Sequence, residues 1–288
     1  MSLLHVILLA IIQGLAELLP VSSSAHVVVA EKLLGMDPTA PAMTLLLVML
    51  HTGTMFAVIV YFWRQWGRTY FRSAENFKTV VLQLIAASFA TAVIGFGLIK
   101  IIEKFVLHGT HAQIEQLFGR LDLIAPALAV VGILILIAGL TETHTRPSQE
   151  EDSTGLNMRQ AGWIGAVQGL CLPFRGLSRS GATISIGMLL GVAKARAEEF
   201  SFALAVILTP AADAREVWRL AKAEHLAGAA PIASAVMPSL LGMLFAFLAG
   251  LLALKWLSRW LESGRWYWFG VYCLVAAVVV EYLHHMGY

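Results

Sequence analysis

Residues 13–26, QGLAELLPVSSSAH, and residues 168–183, QGLCLPFRGLSRSGAT, each interrupt an otherwise apolar stretch of chain. The first lies inside apolar residues 3–36 and breaks at Pro20 and the triplet Ser22, Ser23 and Ser24. The second lies inside residues 161–192 and breaks at Pro173 and the run from Arg175 to Gly181. Each uninterrupted half is only about 10–16 residues long, whereas a helix needs about 20 to cross a ~30 Å hydrocarbon core. Unpaired backbone at that depth is tolerated only where protein or a water-filled cavity surrounds it. Both stretches are therefore expected to form re-entrant helical hairpins.

The rest of the chain sets the context for these breaks. Of 288 residues, 58% are hydrophobic and 13% charged, against about 25% charged in soluble domains. With a mean hydropathy of +0.76, the sequence excludes an ordinary soluble globular protein. Six segments are long and apolar enough to span a bilayer: about 42–63, 79–102, 121–141, 199–218, 231–254 and 267–284. The net charge of +2 is too small for a nucleic-acid-binding surface. Cys171 and Cys273 both fall in apolar segments and read as small buried hydrophobes.

The two broken stretches also match each other. Gln13, Gly14 and Leu15 recur as Gln168, Gly169 and Leu170, Ser22 and Ser24 as Ser178 and Ser180, and Leu33, Leu34 and Gly35 as Leu189, Leu190 and Gly191. This pattern reads as a tandem duplication, about 1–141 and 161–288, within one integral membrane domain. Each half has one hairpin and three full spans, and an odd number of spans inserts the second half upside down. The expected fold is thus all-α and polytopic, an inverted-topology repeat with six transmembrane helices and two re-entrant hairpins. A polar loop, 142–160, is expected to join the halves. Lys and Arg number eleven in loops 64–78, 142–160, 193–198 and 255–266 and seven in loops on the other side. The first side is then cytoplasmic by the positive-inside rule.

Few charges lie inside the broken stretches, and an ionised carboxylate at membrane depth costs about 2.5–3.5 kcal/mol on insertion scales. Gln13 and Glu17, four residues apart, share one helix face. His26, Arg175 and Arg179 are the groups available to offset Glu17. Ser22, Ser23 and Ser24 precede one half-helix and Ser178 and Ser180 the other, at N-cap positions. If the two tips meet, two helix N-termini with free N–H groups face one spot, where the arginine fork adds donors matched to phosphate oxygens. An oxyanion such as phosphate is the natural occupant. His51, alone in the first span, reads as a packing histidine.

Residues 13–26 resemble the first signature of the undecaprenyl-diphosphate phosphatase family, also called the bacitracin-resistance protein family: Glu or Gln, three residues, Glu, then Pro, serines and His. Residues Gly176 to Thr183 resemble its second signature, Pro-Gly-x-Ser-Arg-Ser-x-x-Thr, and similarity extends over essentially the whole chain, including Glu199-Phe200-Ser201-Phe202. Arg175 stands where the family usually has Pro, and Ala25 where Gly is usual. The resemblance implies a multi-pass enzyme of the bacterial inner membrane that hydrolyses undecaprenyl diphosphate to the monophosphate and inorganic phosphate. It further implies lipid-carrier recycling for cell-wall synthesis, bacitracin resistance, a site open to the periplasm, and a divalent cation, Mg²⁺ or Ca²⁺. The partners expected are the membrane and a polyprenyl diphosphate lipid, with a homodimer left open and no nucleic acid.

Diphosphate hydrolysis needs positive charge, a nucleophile and a proton carrier. The catalytic candidates are Glu17, Ser23, His26 and Arg179, with Ser22, Ser24, Arg175, Ser178, Ser180 and Thr183 as phosphate ligands. Ser23 is the preferred nucleophile, with His26 three residues on as its base; direct attack by His26 and water activated by Glu17 are the alternatives. Gln13 and Glu17 are the metal-ligand candidates. Inverted repeats with broken helices are also transporter architecture, so movement of a phosphorylated lipid or another anion is the competing function.

Overall fold

The computed structural model describes residues 2–37, 40–105, 107, 114–142, 156–227, 233–262 and 265–288. Among them the chain forms ten α-helices: α1 (Leu3–Leu18), α2 (Ser23–Leu33), α3 (Pro41–Thr69), α4 (Ala74–Phe105), α5 (Leu121–Glu142), α6 (Met158–Cys171), α7 (Arg179–Leu189), α8 (Lys194–Ala227), α9 (Ala233–Glu262) and α10 (Tyr267–His285). Five of the described helices, α3, α4, α5, α9 and α10, are long and apolar enough to cross a membrane. Their outward faces are apolar too: Phe89 and Val278 are each 70% exposed, and Leu82, Ile85, Val93 and Phe96 follow helical spacing on one side of α4. Surfaces of that kind suit lipid and not water. The protein is a multi-pass, all-helical membrane protein.

Residues 199–218, expected as a sixth span, are helical within α8 but fall outside the apolar group. The uncharged run there is only 200–212, closed by Glu198 and Glu199 on one side and by Asp213, Arg215 and Glu216 on the other. The expected polar loop 142–160 is shortened at its far end. Asn157 accepts from Gln160 N at 2.8 Å while Gln160 returns a bond to Asn157 N, a capping box that starts α6 at Met158. Residues 143–155 lie outside the described part of the chain.

Small residues set the helix packing, as in lipid, where close backbone approach replaces hydrophobic expulsion as the source of attraction. α1 packs on α9 and α6 packs on α4. A Cβ on Gly14 would stand 3.1 Å from Gly250 N, and one on Gly169 3.1 Å from Gly95 N. Gly14 and Gly169 are the glycines of the repeated Gln-Gly-Leu, and Gly95 and Gly250 are separated by the same interval of 155 positions. Thr91 Oγ1 donates to Gly165 O at 2.8 Å across the second of these contacts. The main core includes Leu18, Phe62, Phe202, Leu254 and Trp266.

Candidate functional site

Pro20 lacks an amide hydrogen and cannot continue α1, so the chain turns over residues 19–22. Ser22 closes that turn at φ +67°, the one non-glycine residue with positive φ among the described residues. On the other side α6 ends at Cys171, and Gly176 at φ +102° passes so close to α5 that a Cβ would stand 2.6 Å from Ile124 O. Both turns then deliver a helix start: Ser23 for α2 and Arg179 for α7. The two tips interlock. Gly176 N donates to Ser24 Oγ at 3.4 Å, and Ser180 Oγ donates to Leu19 O at 3.4 Å.

Glu17 is the centre of the cluster so formed. Its Oε1 accepts from Arg179 Nη2 at 2.5 Å. Its Oε2 accepts from Ser23 Oγ at 2.5 Å and from Gln13 Nε2 at 3.1 Å. His51 Nε2 stands 3.8 Å from the same oxygen, an ion pair when the ring is protonated. Residues far apart in sequence thus surround one carboxylate whose side chain is 14% exposed, beside an arginine that is 25% exposed. A partly open guanidinium, two helix N-termini and an acid-bound serine form a site able to hold an oxyanion and move a proton.

Ser178 caps α7 as expected, accepting from Gly181 N at 3.2 Å. The serine triplet departs from expectation. Ser22 occupies the N-cap of α2 but makes no side-chain cap bond, because its positive φ turns the hydroxyl toward Ser24 Oγ, 3.3 Å away. The pairing of Ser23 with His26 is not the one the structure makes. His26 Nδ1 lies 2.7 Å from Ser22 O and Nε2 lies 2.7 Å from the Tyr272 hydroxyl, with the two rings stacked. Both ring nitrogens are engaged, and the hydroxyl of Ser23 goes to Glu17.

Two of the expected phosphate ligands contact other protein groups. Thr183 is fully buried, donates to Arg179 O at 2.7 Å and meets Ser201 Oγ at 2.6 Å, which places it behind Arg179 as support. Arg175 lies over the Phe118 ring at 4.6 Å and within electrostatic reach of Glu31, a fully buried carboxylate on α2 with neither oxygen hydrogen-bonded among the described residues.

The structure adds residues that sequence reasoning passed over. His51 belongs to the cluster and not to packing alone. Its neighbour Thr52 donates to Asp213 Oδ2 at 3.2 Å, and Asp213 feels the charges of both His51 and Glu17. An acid inside a presumed span is a functional signal in its own right, so Asp213 was open to discovery from sequence. Tyr272 carried no such signal, since it reads as one aromatic in an apolar helix.

Among the described residues no group of three or more His, Cys, Asp or Glu is arranged to hold a metal ion. The donors present still fit a shared Mg²⁺ or Ca²⁺ site. Gln13 turns its amide nitrogen to Glu17, which leaves its carbonyl oxygen as a donor, and Mg²⁺ commonly takes one or two carboxylates together with substrate phosphates.

Comparison with known proteins identifies the family. Residues 6–279 match the family described as bacitracin resistance protein BacA. The chain is 55% identical over 284 residues to undecaprenyl-diphosphatase 2 of Acinetobacter baylyi, covering 97% of each chain. It is 35% identical to the undecaprenyl-diphosphatase of Desulfosudis oleivorans, covering 96% of this chain and 97% of that one. It is 32% identical to undecaprenyl-diphosphatase 2 of Burkholderia ambifaria, over 96% and 95%. With the match running through both helix pairs that build the Glu17 cluster, the chain belongs to the bacitracin resistance protein BacA family.

Proposed function

We propose that this protein hydrolyses undecaprenyl diphosphate to undecaprenyl phosphate and inorganic phosphate in the bacterial inner membrane, recycling the lipid carrier of cell-wall synthesis and conferring bacitracin resistance. The observation that carries the chemistry is the convergence of Ser23 and Arg179 on Glu17 from opposite halves of the chain. The guanidinium of Arg179 and the N-termini of α2 and α7 hold the terminal phosphate. Ser23 Oγ attacks its phosphorus, the serine proton passes to Glu17 Oε2, and the anhydride P–O bond breaks to release the lipid monophosphate. Water then cleaves the phosphoserine and yields inorganic phosphate. Glu17 replaces His26 as the base for Ser23. A divalent cation held by Glu17 and Gln13 would neutralise charge on the diphosphate oxygens.

The proposed fold follows the same two halves. α1–α2 and α6–α7 are two re-entrant hairpins, α8 is the sixth span, and the halves are inverted repeats. The paired glycine contacts, Gly14 on Gly250 and Gly169 on Gly95, support it, since exchanging the halves maps one contact onto the other. The Lys and Arg bias of eleven to seven supports cytoplasmic loops at 64–78, 142–160, 193–198 and 255–266, and the family resemblance supports a site open to the periplasm. The test is phosphate release from a long-chain polyprenyl diphosphate by detergent-purified protein. Arg179→Ala is expected to lower the rate at least ~100-fold. Activity near wild type in that variant overturns the phosphate-cradle assignment, and transport without phosphate release overturns the enzymatic reading.

A further inference from the structure

A second polar site lies far from Glu17. α3 runs without a break from His51, beside Glu17, to Thr69. Arg64 and Arg68 are 13 and 17 residues beyond His51, roughly 20–26 Å away at ~1.5 Å per residue. There α3 meets the first turn of α8 and borders an open surface basin of about 670 Å³ whose lining includes Tyr61, Arg64, Gln65, Arg68, Thr69 and Arg196.

Its floor is built around a buried acid. Glu199, with a fully buried side chain, accepts from Gln65 Nε2 at 3.2 Å, from Thr69 Oγ1, and from Arg196 Nη1 at 2.8 Å. This network ties α3 to α8 and fixes Arg196. Arg64 and Arg68 have no carboxylate partner among the described residues, so their donors face the basin uncompensated. Three guanidinium groups against one committed carboxylate leave a net positive, fork-shaped donor set that matches phosphate oxygens.

The neighbouring surface narrows the ligand. A groove of about 330 Å³ lined by Ile59, Val60 and Trp63 shares Tyr61 and Arg64 with the basin. Val60 is 57% and Trp63 71% exposed, on a face turned away from the protein core. Tryptophan favours the headgroup level of a bilayer, and basic pockets between membrane helices take anionic headgroups. A free ion would use only the basin, whereas an amphiphile fills both.

We infer that Tyr61, Arg64, Arg68 and Arg196 form a second binding site for a lipid with a phosphate headgroup, its chain lying along Ile59, Val60 and Trp63, separate from the Glu17 site and independent of the activity proposed there. The test is native mass spectrometry of the full-length protein titrated with dioleoyl phosphatidate, with dioleoyl phosphatidylcholine and inorganic phosphate as separate arms. Wild type and Arg179→Ala are expected to bind phosphatidate saturably at one high-affinity site. Arg64→Gln combined with Arg68→Gln is expected to weaken it at least ~10-fold, leaving phosphatidylcholine adducts unchanged. If that variant does not fold, Arg64→Lys with Arg68→Lys keeps the charge, loses the fork and gives a smaller loss. Equal phosphatidate binding in the wild type and whichever arginine variant folds overturns the proposal. Loss in Arg179→Ala alone moves the lipid to the Glu17 site, and displacement by equimolar inorganic phosphate makes this a free-ion site; either result also overturns it.

Discussion

Arg179 Nη2 donates to Glu17 Oε1 at 2.5 Å although the two residues stand 162 positions apart. The bond joins the end of α1 to the start of α7, so one ion pair both closes the two turns on each other and aims the guanidinium at the site between them. Removing one partner of a fully buried pair costs about 3–5 kcal/mol because the other charge is left uncompensated, and this pair, with side chains 25% and 14% exposed, falls below that. Function and local stability are coupled at this contact.

Glu17→Gln keeps the shape of the side chain and removes the base. Turnover is expected to fall ~10²–10⁴-fold, while the detergent-solubilised protein remains monodisperse. Combining Glu17→Gln with Arg179→Lys should cost far less than the two single effects multiplied, because both act through one unit. Full multiplicativity in measured kcat/KM would separate their roles.

The hydroxyl of Ser23 points to Glu17 while both nitrogens of His26 are occupied. Rapid acid quench with labelled substrate should therefore trap acid-stable phosphoserine, and Ser23→Ala should abolish it. Acid-labile phosphohistidine in its place would transfer the nucleophile to His26. Tyr272→Phe removes one bond to His26 and is expected to slow turnover less than ~10-fold, about the worth of one hydrogen bond.

Thr183 meets Ser201 at 2.6 Å in a fully buried contact behind Arg179. Ser201→Ala leaves Thr183 bonded to Arg179 O and should cost about 0.5–1.5 kcal/mol of stability with turnover close to wild type. A large loss of activity at unchanged melting temperature would put this pair in the chemistry.

A Cβ on Gly165 would stand 2.1 Å from Ala87 O, whereas one on Gly162, a turn earlier in α6, meets nothing within 4 Å. Gly165→Ala should destabilise the protein by about 1–3 kcal/mol, the ordinary cost of overpacking. Gly162→Ala should be neutral or slightly stabilising, since alanine is the better helix former. Thermal melting of the two variants in the same detergent makes the comparison.

Chelation with EDTA is expected to lower phosphate release and added Mg²⁺ or Ca²⁺ to restore it, since Glu17 and Gln13 would offer oxygen donors to an ion completed by substrate oxygens. Full activity in excess chelator would remove the cation from the reading.

The amino-acid sequence by itself determined that this is a membrane protein with two broken helices, and it singled out Gln13, Glu17, Ser23 and Arg179. Those inferences rest on local costs: charge at membrane depth, proline within a helix, and lengths too short to cross. Tertiary structure alone decided which polar groups meet. Ser23 and His26 sit three apart on one helix, yet contacts between helices send one to Glu17 on α1 and the other to Tyr272 on α10. His51, Asp213 and the Arg64 basin depend on how α3 lies against α8. Spacing along one helix cannot encode the partner on another; that choice is made when small-residue packing fixes how the helices stand against each other.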